Sequence, residues 1–292
     1  MAQGGWMSMG CDLHVHSVYS DGLLDPFEIL DLARSWGLGY LSITDHDCYE
    51  GSLLLLGKSG RDLVILPGAE LDVAEDVELL LYGVPNERLL ELTRRICQER
   101  RDVARRMVEA IRVATGDTGL HFEQDIAARA RGSIMKPHIA RLCVQRNLAD
   151  NFLDFKKKLH NDWMPQGVPM HQKPAMTDLV SWAREAGCKV ILAHPLYYLL
   201  PRIGGKRYTS VEELLLMDVD GYEYYYDYKD QGKEHEDLLL ELNRAMETHA
   251  KEGGLLLTGG SDFHQPGETL SLEKVPDLCG RTIQEALLGN LT

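Results

Sequence analysis

Histidines and carboxylates recur in this chain in short clusters, each at the end of an apolar run. They read His14-Val15-His16, Ser20-Asp21-Gly22, Thr44-Asp45-His46-Asp47, Gly68-Ala69-Glu70, Ala193-His194-Pro195 and Ser261-Asp262-Phe263-His264. Imidazole and carboxylate are donors that suit manganese, iron and zinc, and thiolate is missing from every cluster. Several such groups over one open pocket can hold two or three divalent ions. Those ions would generate hydroxide near neutral pH and clamp phosphoryl oxygens. The chain therefore reads first as a multinuclear metallohydrolase.

Spacing sharpens this reading. Alternate residues of a strand point to one face, so His14 and His16 can reach the same ion. Asp21 follows five residues later, in an Asp-Gly pair that is also a turn signal. His46 ends the next apolar segment. Beside it, Asp45 is placed to orient a histidine from behind and Asp47 to cap the following helix. Glu70, just after the run 63–68, is a candidate bridging carboxylate. Pro195 stops the strand before it and holds the turn that carries His194. Asp262 and His264, again two apart, complete the set.

These clusters need a scaffold that brings strand ends together. Strand signals occur at 11–15, 40–44, 63–66, 77–84, 190–193, 221–225 and 255–258. Helix signals fall at 26–36, with Asp25 as N-cap and Pro26 at the first helical position, and at 176–187, 210–217 and 234–252. Repeated strand-then-helix units imply parallel strands, and functional groups at their C-terminal ends favour a barrel. The middle differs. From 86 onward the pattern is helix after helix, at 86–115, 123–130, 137–146 and 151–159. The expected organisation is a barrel of 10–85 and 165–292 with a helical insertion or cap at 86–164. The arginines of that block, Arg94, Arg95, Arg100, Arg101, Arg105 and Arg106, read first as a solvated helix laced with i,i+4 pairs rather than a basic binding face.

Composition sets the outer bounds. The 292 residues, 44% apolar and 26% charged, fit a globular α/β protein. A net charge of −14 argues against a broad basic groove for duplex DNA. It leaves anionic substrates open, because bound cations reverse the local sign. The six cysteines are scattered without a C-x-x-C pair, which points to a reducing, cytoplasmic setting rather than a disulfide framework. No secretory signal is visible, and the longest aliphatic run, 53–56, is far too short to span a bilayer. The segment Tyr222-Glu223-Tyr224-Tyr225-Tyr226-Asp227-Tyr228 reads first as a strand with alternating tyrosines and second as a surface for stacking on a nucleobase.

The motifs DLHVHSVYSDG, ITDHD, PGAE, KPHIARL, AHP and GSDFH, spread from Asp12 to His264, resemble those of the PHP (polymerase and histidinol phosphatase) phosphoesterases. The resemblance is strongest to small stand-alone enzymes acting on nucleoside bisphosphates and short RNA ends. It implies a distorted (β/α)7 TIM-like barrel with a trinuclear metal centre. His14, His16, Glu70 and Asp262 would hold the first ion, Glu70 and His194 the second, and Asp21, His46 and His264 the third. A metal-bound hydroxide held by Glu70, Asp262 and His264 would attack phosphorus. Lys136, His138 and Arg141 of the KPHIAR segment would contact the substrate phosphate, and Arg202, Lys206 and Arg207, in a Gly-rich loop after His194, are further candidates read from the sequence itself. A helix starting in KPHIAR also aims free N–H groups at an anion.

One departure stands out. The family usually places a histidine where this chain has Glu78, so either Glu78 ligates the second ion or only two ions bind. Lys136 likewise replaces an arginine and loses its fork geometry. The resemblance implies a phosphatase for a small phosphorylated substrate, most plausibly a nucleoside 3′,5′-bisphosphate or nucleotide. The alternatives are a 5′-3′ exonuclease on short single-stranded RNA or DNA and a non-catalytic metal-binding regulatory module.

Overall fold

The strands that carry the first histidines form a parallel sheet of β1 (Cys11–Val15), β2 (Tyr40–Ile43) and β3 (Val64–Ile65), in that order. The computed structural model describes residues 10–164, 171–201, 208–267 and 277–288. Between β1 and β2 runs α1 (Pro26–Ser35). Its start follows the predicted signal: Asp25 accepts from the Phe27 N–H, Glu28 reaches back to the Asp25 N–H, and Pro26 opens the helix. Its buried face, Ile29, Leu30 and Ala33, packs with Leu41 and Ile43 of β2. A short α2 (Glu50–Leu53) follows β2.

The second sheet has the order β4 (Gly68–Asp72), β5 (Glu78–Tyr82), β6 (Lys189–Leu192), β7 (Gly221–Tyr226) and β8 (Leu256–Gly260). Here the expectation of parallel strands is corrected. β5 lies antiparallel between β4 and β6; only β6, β7 and β8 run parallel. The cause is connection length. Residues 73–77 are all that separate β4 from β5, and a parallel crossover needs about a dozen residues or more. Glu70 thus lies within β4 rather than in a loop after β3.

The two sheets meet at two isolated backbone bridges, Val15 with Phe263 and His46 with Glu70. Val15 ends β1, His46 and Phe263 lie just past β2 and β8, and Glu70 is the middle residue of β4, so the bridges bring the predicted clusters together. Among the described residues, no continuous ladder closes the strands into a barrel. The fold is a mixed α/β structure.

The helical stretch begins with α3 (Glu87–Thr115), capped by Asn86 and ended by left-handed Gly116. It continues through α4 (Lys136–Gln145) and α5 (Phe152–Lys158), with π-type turns at Glu123–Ala127 and Leu159–Trp163. α3 serves two cores. Leu89, Leu92 and Ile96 pack with the β4–β6 side, whereas Val103, Met107 and Ile111 pack with Ile139, Cys143, Phe155 and Trp163. Each fully buried side chain of this kind contributes ~1.5–3 kcal/mol. The remaining helices are α6 (Met176–Glu185), α7 (Leu196–Leu199), α8 (Val211–Leu215), α9 (Lys229–Glu234), α10 (Glu236–Gly253) and α11 (Asp277–Leu288). Among the described residues, no helix is long and apolar enough to cross a membrane.

Candidate metal centre

β1 places His14 and His16 on one side, with their Nε2 atoms 3.1 Å apart. The strand can approach β8 this closely because Gly260 lies directly against His14, where any side chain would collide. From the opposite sheet, Glu70 of β4 turns its Oε2 toward three imidazoles: His14 at 3.2 Å, His16 at 3.4 Å and His46 at 3.0 Å. Its other oxygen lies 3.0 Å from His194, which in turn is 3.3 Å from Glu78. Asp262 Oδ1 lies 3.0 Å from His16 Nε2, and His264 lies 3.2 Å from Asp21. Nine side chains from distant segments therefore converge.

Compact donor groups emerge from this gathering. One is His16, Asp21, His46 and His264; another is His14, His16 and Glu70; a third is His46, Glu70 and Glu78. In each, one ligand atom per residue lies within 4.8 Å of the others. The second group matches part of the first-ion set implied by the resemblance. The first group adds His16 to the third-ion set, so His16 faces two positions.

The electrostatics are those of donor groups that could hold cations. Glu70 Oε2 and Asp21 Oδ1 are buried and accept no hydrogen bond, which leaves lone pairs that a cation would satisfy. Burial alone would drive these carboxylates neutral. The imidazoles of His14 and His46 around Glu70, and of His46 and His264 around Asp21, instead hold both below the usual carboxylate range. In return, burial pushes His194 and His264 down, but Glu70 and Glu78 carry His194 to about 9 and Asp21 and Asp262 carry His264 to about 10. Protons and metal ions compete for the same lone pairs. Glu78 is the exception: burial and the nearby Glu70 and Asp72 charges raise it to about 8, so without a cation it favours its neutral form.

A surrounding layer orients these groups. Asp45 accepts from the Ser17 N–H at 2.7 Å and from the Ser20 hydroxyl at 2.7 Å, and Ser20 lies 3.3 Å from His16 Nδ1. The predicted orienting role of Asp45 thus runs through a serine. Asp47 does not cap the next helix: it accepts from Arg100 Nε at 2.6 Å. Arg100 also reaches Asp72 at 2.6 Å. One arginine of the expected solvated face is therefore buried at the site, and it ties α3 to the loop of His46 and to the strand of Glu70. Three residues here, Asp47, His194 and Asp262, have left-handed backbone (φ 50°, 28° and 53°), a strained state concentrated at functional sites.

Sequence reasoning missed several members. Glu223 of β7 is fully buried, lies 2.9 Å from His14 Nδ1, and accepts from the His194 N–H at 2.8 Å. A carboxylate behind an imidazole fixes its tautomer and raises its basicity. The spacing of Glu223 from any other cluster carries no signal; only its place in an otherwise aromatic strand could have flagged it. His171 lies 3.8 Å from Asp72, and Tyr198 lies 3.2 Å from His194 Nδ1.

The predicted substrate residues have different fates. Lys136 opens α4 and shares a small cavity with Arg100 and His171. His138 uses Nδ1 to accept the Met135 N–H at 3.1 Å, closing the start of α4. Arg141 donates to the backbone oxygen of Asp21 at 2.7 Å, so it braces a candidate ligand loop. Arg202, with Lys206 and Arg207, lies outside the described residues.

No family model matches the chain. It is 29% identical over 282 residues to a 3′,5′-nucleoside bisphosphate phosphatase from Chromobacterium violaceum, covering 92% of this chain and 93% of that protein. It is 26% identical over 266 residues to the 5′-3′ exoribonuclease Rnm of Salmonella typhimurium, covering 87% and 85%. Among solved structures, one from Bifidobacterium adolescentis described as a metal-dependent phosphoesterase superposes with a TM-score of 0.75 at 26% identity, covering 97% of this chain and 96% of that one. These relatives are named as a phosphatase and an exoribonuclease and this structural neighbour as a metal-dependent phosphoesterase, and the chain fits a phosphoester hydrolase.

Proposed function

We propose that the chain is a metal-dependent phosphoesterase that removes a phosphate monoester from a nucleoside 3′,5′-bisphosphate or a related small nucleotide. The observation that carries this is the convergence of nine donor residues, in which the buried Glu70 Oε2 and Asp21 Oδ1 accept no hydrogen bond. His14, His16, Glu70 and Asp262 would hold one manganese, iron or zinc ion. Glu70, His194 and Glu78 would hold a second, and Asp21, His46 and His264 a third. Bound, such ions supply Lewis acidity toward phosphoryl oxygens and lower the pKa of water.

The chain's own residues do the rest. Glu70, Asp262 and His264 border the position of the attacking water. Glu223 and Asp45, directly and through Ser20, fix the two histidines of β1. Lys136 supplies positive charge toward the substrate phosphate and His138 the imidazole beside it, while Arg141 holds the Asp21 loop. Arg202 is retained as a further phosphate contact. Architecturally, we read the two sheets as parts of one distorted (β/α)7 barrel formed by 10–85 and 165–292, with 86–164 as a helical cap.

Phosphate release from a panel of nucleotides by manganese-loaded protein tests this reading. Preferential turnover of 3′,5′-bisphosphates is expected; no release from any phosphoester would defeat it. Similarity to exoribonucleases supports a second reading, stepwise 5′-3′ trimming of short RNA. Mononucleotide ladders from 5′-phosphorylated oligonucleotides, at a higher kcat/KM than for bisphosphates, would favour it.

A further inference from the structure

Strand β7 contains an irregularity beside the site. Glu223 pairs with Thr258 and Tyr225 with Gly259, so Glu223, Tyr224 and Tyr225 stand opposite two residues of β8. This is a β-bulge with Tyr224 as the extra residue. Its consequence is directional. Residues three apart on a regular strand face opposite sides, yet Glu223 and Tyr226 both face the donor cluster: Glu223 contacts His14, and the Tyr226 hydroxyl donates to Asp262 Oδ2 at 2.7 Å. Tyr224, by contrast, directs its hydroxyl to Glu247 of α10. Gly259 accommodates the bulge, since a side chain there would meet Tyr225.

The Tyr226 ring is held before any ligand arrives. It packs 5.6 Å from the His194 ring, 5.8 Å from Tyr197 and 4.7 Å from Tyr228. Its hydroxyl occupies one oxygen of Asp262 and leaves Oδ1, the atom nearest His16, for other work.

We propose that Tyr226 is a positioning residue of the metal centre. It ties down Asp262 Oδ2, leaves Oδ1 as the oxygen that would serve an ion, and is aimed there by the bulge at Tyr224. The claim rests on the reading of the donor ring as a metal site. It makes Tyr226 a device particular to this strand, acting through Asp262 rather than on substrate.

The test compares Tyr226→Phe, which deletes only the hydroxyl, with Tyr224→Phe, which deletes the hydroxyl on the other side of the bulge. Manganese affinity is measured by competition with a chromogenic chelator, independently of any substrate. Tyr226→Phe is expected to weaken the tightest manganese site by about 10- to 100-fold, the usual effect of losing a partner that orients a ligand. Its kcat on a nucleoside 3′,5′-bisphosphate should fall with KM little changed, and its unfolding midpoint in excess chelator should match that of the unaltered chain. Tyr224→Phe should leave manganese affinity unchanged.

Equal manganese affinity in Tyr226→Phe and the unaltered chain would overturn the proposal. So would equal weakening in both variants, or unfolding of chelated Tyr226→Phe, either of which marks a structural role. If the unaltered chain binds manganese but turns over no phosphoester, the proposed function fails while the affinity comparison still decides Tyr226. If it binds no manganese, both readings fall.

Discussion

Around His14, His16 and Glu70 the interior is charged, whereas around Phe155 and Trp163 it is hydrocarbon. The second region is an ordinary core: α3, α4 and α5 bury one face each, Asn86 and Asn151 cap the starts of α3 and α5, and exposed charges pair along those two helices. The first region buries Asp12, His14, His16, Asp21, Asp45, Glu70, His194 and Glu223 together. It keeps ionised groups out of water, and it holds three backbones left-handed at about 1–3 kcal/mol each. A helical core of this kind stabilises the chain, whereas a rim of this kind sets the desolvation of charges against their pairing and gathers donors that a cation could use. Arg100 joins the two regions, since α3 carries it from the helical side into the ligand loop.

The contrast can be broken or sharpened by measurement. The largest effect is expected at Glu70. Glu70→Gln should lower kcat/KM by about a thousandfold, equivalent to about 4 kcal/mol of transition-state stabilisation, because it removes charge shared among cation positions. The metal-free variant should melt lower than the unaltered chain by no more than the loss of the Glu70–imidazole pairs accounts for. A large drop in its unfolding midpoint would show that the rim is structural after all.

Next comes Arg100→Met, which leaves the buried Asp47 without its partner and the partly exposed Asp72 with only Lys173 and His171 beside it. It should destabilise by about 4 kcal/mol in urea unfolding and also loosen metal binding, so both regions report it. Loss of stability with unchanged metal affinity would separate the helices from the site. Phe155→Ala should destabilise by about 3 kcal/mol through cavity formation, while kcat per folded molecule stays near that of the unaltered chain. Impaired kcat at full folding would mean that the helical core acts on the rim. Last, manganese at about 100 times its dissociation constant should add about 2.7 kcal/mol to stability, and chelation should reverse it. The same addition in Glu70→Gln would place the binding elsewhere.

Much of the site was legible because coordination chemistry is demanding about residue type. His14-x-His16, Asp21, His46, Glu70, His194, Asp262 and His264 are recognisable by composition and by position at the ends of apolar runs, and the structure brings all of them together. α1 was legible for a similar local reason, since Asp25 and Pro26 mark its start; the bond from Glu28 back to Asp25 came only with the structure. Less legible were features in which one residue could serve several partners. Asp47 has the chemistry of a helix cap, and only the arrival of Arg100, 53 positions away, assigns it otherwise. His171 and Glu223 belong to no local pattern; their partners come from other strands.

By itself the sequence determined the inventory: which donors exist, which pairs share a strand face, and where helices begin. These depend on side-chain chemistry and on interactions spanning a few residues. Tertiary structure alone decided that β6 joins the sheet alongside β5, that Arg100 closes on two carboxylates, and that a bulge turns Tyr226 toward Asp262. Each depends on strand register or on contacts between segments dozens of residues apart, where the winning arrangement is set by the packing of the whole chain.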